Sequence, residues 1–127
     1  MKLNPDLIRD ILLTVEDNCD FNKIMEYEPN KENFKKLTKY SHEEIIYHIR
    51  LCSQKSLILG VKYYDNGRLI TISDLSPLGH EFLSNIRENN IWSKTKESAK
   101  IIGSFSLDTL QQIAINIISN KMSNTKF

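Results

Sequence analysis

Glycine and proline are scarce, four and three among 127 residues, which excludes collagen-like and linker-dominated chains and favours helix and strand. Cysteine is scarce too. Cys19 and Cys52 have no CxxC pair and no Cys/His cluster around them. Zinc takes about four ligands from tight local pairs, and His42, His48 and His80 do not supply that spacing. No metal and no other cofactor is expected, and two free thiols in a reducing cytoplasm are expected rather than a Cys19–Cys52 disulfide. Net charge is nearly missing: seventeen Lys+Arg against sixteen Asp+Glu leave +1, so no global field draws the chain to nucleic acid or to a membrane. A long apolar run is also missing. The least charged stretch, Ile101 to Asn120, is broken by Gly103 and Asp108, and residues 1–17 carry Asp6, Arg9 and Asp10 inside their apolar pattern. Neither a membrane span nor a signal-peptide core is expected, and the expected location is the cytoplasm. What is present is 40% hydrophobic residues, enough for a core in a single domain of residues 1–127. These bounds exclude a multidomain enzyme, a membrane protein and a disulfide-stapled secreted module.

Asn4-Pro5-Asp6 reads as a helix start, with a capping Asn, a Pro at the first helical position and an acid at the positive end. Leu7, Ile8, Ile11, Leu12 and Val15 then recur with helical period to about Asp17. Residues 18–33 read as a loop, and residues 31–38 as either a short strand or a helical turn. Ser41-His42-Glu43-Glu44 has the spacing of a capping box. Behind it Ile45, His48, Ile49 and Cys52 form the buried face of a helix over 42–55, leaving Glu43, Tyr47, Arg50 and Gln54 on the opposite side. Residues 57–61 are β-prone, and Asn66-Gly67 is a strong hairpin signal because it tolerates the positive φ angles of a type I′ turn. Centring the turn there pairs Tyr64 with Leu69, Tyr63 with Ile70, Lys62 with Thr71 and Val61 with Ile72, with Val61, Tyr63, Ile70 and Ile72 on the buried face. Ser76-Pro77 starts a helix with Leu78, Phe82 and Ile86 in its stripe. Another places Ile91, Thr95, Ala99 and Ile102 on one side and stops at Gly103. Ser106 caps the last, with Leu107, Leu110, Ile113, Ala114 and Ile117 inward.

Helix, short strand, capped helix and hairpin, followed by helices, is the order of an α+β winged-helix-like domain (residues 1–75) with a C-terminal helical extension (residues 76–127). The residues also resemble a specific family. Pro5-Asp6-Leu7-Ile8-Arg9-Asp10-Ile11-Leu12-Leu13 looks like its N-terminal signature. Glu44-Ile45-Ile46-Tyr47-His48-Ile49 with Leu57-Ile58 resembles its Y-H-L…G-L-I segment, with Ser56 where the family has Gly. Leu75-Ser76-Pro77-Leu78-Gly79-His80-Glu81-Phe82-Leu83 and Trp92-Ser93-Lys94-Thr95-Lys96 resemble its L-T-x-x-G-H-E-F-L and W-x-K-T-K motifs. The chain is thus similar to small bacterial and prophage proteins grouped as domain of unknown function 2513. The resemblance implies a winged-helix-like fold and a phage or mobile-element setting, and no activity.

Chemistry is thin. His80-Glu81 has no visible nucleophile or metal partner, and no Gly-rich phosphate loop appears, so no catalytic residues and no enzyme are expected. His48 reads as a core-edge histidine bonded to a backbone carbonyl, and Trp92 as a helix anchor. Local charge is more informative. Residues 31–70 hold eight Lys/Arg against four Asp/Glu, whereas residues 1–30 hold three against seven. A surface for double-stranded DNA is expected from Lys35, Lys36, Lys39, Tyr47, Arg50, Gln54, Lys62 and Arg68, with Arg and Gln reading base edges and Lys contacting phosphates. Glu43 and Glu44, at the end of the presumed recognition helix, weigh against it. The alternative is an adaptor for a host protein, with an exposed patch around Tyr27, Tyr40, Ile46 and Tyr47. Ile115 and Ile118 are candidates for a homodimer interface.

Overall fold

Asn4 caps the first helix, α1 (Pro5–Asn18), its side chain accepting from the backbone N–H groups of Asp6 and Leu7. In the computed structural model, which describes residues 1–29 and 34–124, α1 is followed by β1 (Met25–Tyr27), a 3₁₀ turn (Lys35–Leu37) and α2 (His42–Gln54). Then come β2 (Ile58–Leu59), β3 (Lys62–Tyr64), β4 (Leu69–Ile72) and β5 (Asp74–Leu75), followed by α3 (Pro77–Ile86), α4 (Asn89–Ile102) and α5 (Leu107–Ser123). The class is α+β. The chain divides into two compact units, Met1–His80 and Glu81–Phe127.

In the first unit α1 packs against α2, the 3₁₀ turn and β5, burying Leu7, Ile8, Ile11, Leu12 and Val15. The capping box of α2 forms as its sequence requires: Ser41 accepts from the Glu44 N–H, and the Glu44 carboxylate accepts from the Ser41 N–H. Two small antiparallel sheets follow, one in the order β1-β4-β3 and one pairing β2 with β5. The β3–β4 register is the one set by Asn66-Gly67, pairing Lys62 with Thr71, Tyr63 with Ile70 and Tyr64 with Leu69. Asn66 and Gly67 both take positive φ, 55° and 87°, and the Arg68 N–H closes the turn onto the Asp65 carbonyl.

Three expectations for this unit are corrected. Residues 18–33 are not all loop, because β1 lies within them and pairs Met25 with Ile72 and Tyr27 with Ile70; residues 30–33, Lys31 included, lie outside the described residues. Residues 35–37 take the helical-turn alternative. Tyr63 was expected on the buried face with Val61, yet it is 48% exposed and Val61 is half-buried. The reason is sheet order: β4 is central, so Ile70 and Ile72 are covered, whereas β3 is an edge strand. Tyr27 and Tyr40 do not join an exposed aromatic patch either. Tyr27 is buried and Tyr40 half-buried, its hydroxyl donating to Asp10 Oδ2 at 2.7 Å.

Those tyrosines set a pH response. Burial, with the negative charge of Glu43 behind it, pushes the Tyr27 phenol up to about 12. Burial and then the hydrogen bond to Asp10 push Tyr40 higher, and burial alone takes the Cys52 thiol from 9.0 to about 12. All three keep their protons in the folded chain at a pH where the unfolded chain releases them. Their contribution is therefore complete below about pH 9 and lost as pH rises from there to about 12. The urea midpoint is expected to fall across that window, and less steeply in Tyr27→Phe. A midpoint that stays level to pH 11 contradicts this.

In α3 the buried side runs through Gly79, Phe82, Leu83 and Ile86, turning Leu78 outward at 55% exposure in place of the inward position expected for it. In the second unit α4 packs on α5 and Trp92, Thr95, Ala99, Leu110 and Ala114 are buried. Gly103 ends α4 in the left-handed region at φ 85°, and Ser106 caps α5 through the Thr109 N–H. Ile102, expected inward, is 63% exposed; it is the last residue of α4, directly before the Gly103 stop. Ile115 is 40% exposed and Ile118 half-buried. Among the described residues no helix is long and apolar enough to cross a membrane, and both cysteines are free thiols.

Candidate nucleic-acid interface

The face of α2 away from α1 carries Tyr47, Arg50 and Gln54 at i, i+3 and i+7, so one helical stripe holds all three. Arg50 and Gln54 are exposed and Tyr47 half-buried. The Arg50 guanidinium lies over the Tyr47 ring, 5.2 Å from its centroid, an arrangement that holds both side chains. Opposite them stands the β3–β4 hairpin. Its tip rests on α2: a Cβ added at Gly67 would sit 3.7 Å from Cδ1 of Ile46. Between helix and hairpin runs a groove of about 600 Å³ lined by Glu43, Ile46, Tyr47 and Arg50 on one side and Tyr63, Asn66 and Gly67 on the other, with Met1 at its edge.

A second groove of about 980 Å³ opens on the other side of Ile46, lined among others by Glu28, His42, Glu43, Tyr64, Asp65 and Arg68. His42 is fixed there, its Nδ1 3.0 Å from the Tyr27 hydroxyl and its ring stacked on that phenol. Arg68 thus shares this groove with the carboxylates of Glu28, Glu43 and Asp65, while Arg50 lines the other. Strand alternation sets Lys62 on the face opposite Tyr63. The remaining expected cations lie by α1: Lys36 pairs with Asp17 at 3.8 Å and Lys39 with Asp10 at 3.5 Å, while Lys35 is exposed on the same turn. The structure therefore brings Tyr47, Arg50 and Gln54 together and disperses the other five. Tyr63 is the groove residue that sequence reasoning turned inward; its one available signal, the edge position of β3, depends on where β1 pairs.

His48 is part of the scaffold. It is fully buried, its Nδ1 2.7 Å from the Glu44 carbonyl and its Nε2 2.8 Å from the Asn4 backbone nitrogen. The neutral ring that donates from Nδ1 and accepts at Nε2 satisfies both contacts. The Ser76-Pro77-Leu78-Gly79 motif is scaffold as well. The Ser76 hydroxyl donates to the Ser56 carbonyl and accepts from the Gly79 N–H, clasping the start of α3 to the end of α2. Ser56 takes a left-handed φ of 61°, a conformation in which glycine is relaxed, and this gives the family's Gly at that position a physical reason. No group of three or more His, Cys, Asp or Glu side chains among the described residues is placed to hold a metal ion.

Comparison with known proteins agrees with the motif reading. The family model described as "Hypothetical protein (DUF2513)" matches residues 2–106. An uncharacterized protein of Haemophilus influenzae is 31% identical over 125 residues, covering 97% of this chain and 100% of that protein. No solved structure matches the chain. With the match spanning α1 through α4 and the motif residues forming the α2–α3 clasp, the chain belongs to the DUF2513 family.

Proposed function

We propose that the chain is a nucleic-acid-binding module of winged-helix type with a regulatory role, and not an enzyme, with α2 as its recognition helix and the β3–β4 hairpin as its wing. The wiring supports this: α1, β1, a 3₁₀ turn in place of a middle helix, α2, and then a hairpin whose second strand pairs with β1. The observation that carries the reading is the run from Ile45 to Tyr64, which holds Arg50, Lys55 and Lys62 and no Asp or Glu. That run forms most of α2 and the strands β2 and β3, so Arg50, on one exposed stripe with Gln54 and the half-buried Tyr47, has no carboxylate within the run to offset it, although the chain as a whole is nearly neutral. Arg50 and Gln54 have the donors and acceptors that base edges require. The phage or mobile-element setting implied by the family resemblance goes with this proposal.

Fluorescence anisotropy against a mixed-sequence duplex tests it. Binding in the micromolar range at about 50 mM salt is expected, with log affinity falling by roughly 0.9 per phosphate contact for each decade of salt. Arg50→Glu is expected to weaken binding by about tenfold or more, since it both removes a contact and adds a repulsion. Absence of binding at about 20 mM salt, where such contacts are strongest, removes the reading. A second reading, an adaptor for a host protein, is favoured by the Lys36–Asp17 and Lys39–Asp10 pairs, which take two cations off a DNA face.

A further inference from the structure

The groove between α2 and the hairpin is built differently from a surface that only grips a phosphate backbone. Two tyrosines converge on it from separate elements, Tyr47 from α2 and Tyr63 from β3. Arg50 lines the same groove: its guanidinium lies over the Tyr47 ring, and its positive charge offsets part of the upward push that burial gives the Tyr63 phenol. Tyr63 nevertheless leaves 48% of its surface open. A planar cation over one aromatic ring, in a groove that a second, half-exposed ring also lines, offers flat surfaces for stacking, and the apolar Ile46 adds a wall. Charge is divided along the groove. Glu43 stands at one rim, and no carboxylate occurs from Ile45 to Tyr64, so the Arg50 end of the groove is the positive one.

We infer that this groove takes an unpaired nucleobase, one extruded from a duplex or carried on a single strand, stacked on Tyr63 and on the open face of the Arg50 guanidinium. The inference rests on the nucleic-acid reading above and names which part of the ligand the groove holds. Stacking on an aromatic side chain is sequence-tolerant, because every base has a π-face, and is large enough to read in a binding curve.

The test uses three labelled probes at about 50 mM salt: a perfect duplex, the same duplex with one bulged nucleotide, and a single strand. The full chain is expected to bind the bulged duplex about tenfold more tightly than the perfect one. Tyr63→Leu is expected to erase that gap and Tyr63→Phe to keep it. Both variants substitute a half-exposed edge-strand residue, and their melting curves check that each is folded. Equal affinity of the full chain for bulged and perfect duplex overturns the inference while leaving the nucleic-acid reading intact. A gap that survives Tyr63→Leu does the same. No binding to any probe overturns both.

Discussion

Gly79→Ala lowers the melting temperature by on the order of 10 °C. The cause is space, not backbone conformation. A Cβ at this position would lie 2.0 Å from the Leu57 carbonyl oxygen. That oxygen is not free to retreat, because it already accepts from the Ser76 N–H at 3.0 Å. Alanine normally gains about 1 kcal/mol over glycine within a helix, and less in a first turn, but forcing a methyl group into packed backbone costs about 3 kcal/mol. The clash wins. Gly103→Ala is the matched control: nothing lies within 4 Å of its added Cβ, while its φ is +85°, so only the left-handed penalty of about 1 kcal/mol applies. Thermal melts of the two variants separate the effects. Equal small losses contradict the close approach of α3 to Leu57.

His48→Leu is the second large effect, expected at about 2–3 kcal/mol in urea denaturation. Leucine roughly fills the volume, so the loss comes from polar groups. The Asn4 N–H loses its acceptor, and the Glu44 carbonyl loses a donor. Leaving a buried donor unsatisfied costs about 1–3 kcal/mol, well above the value of an average exposed bond. Asn4 is held twice, by its own cap of α1 and by His48, so the substitution also loosens the start of α1 against α2. A loss below about 0.5 kcal/mol, the range of ordinary surface changes, contradicts a scaffold role for the ring.

Local chemistry made much of this fold legible. Ser41 with Glu44, Asn4-Pro5, Ser106, Gly103 and Asn66-Gly67 each specify a cap or turn with the atoms at hand, and each forms where its residues require. What escaped depends on distant partners. Met25-Glu26-Tyr27 carries no strand signal beyond three residues, and it is a strand because β4 is there to pair with it. The outward turn of Leu78 follows from the Leu57 carbonyl claiming Gly79. The site was half legible for the same reason. Tyr47, Arg50 and Gln54 share a stripe by helical period alone, whereas the capture of Lys36 and Lys39 by Asp17 and Asp10 needs the 3₁₀ turn laid against α1.

The order β1-β4-β3 bears on how the first unit holds together. Strands of two to four residues have little stability alone, and β1 meets β4 only after the intervening chain, with all of α2 in it, has been drawn into a closed loop. The entropy lost in that closure is recovered only when Met25, Tyr27, Ile70 and Ile72 are covered together. The β3–β4 hairpin is therefore no independent flap. Its central strand, the loop that brings β1 to it and the helix beside it form or dissolve as one cooperative unit, and a ligand gripping the hairpin stabilises the helices with it.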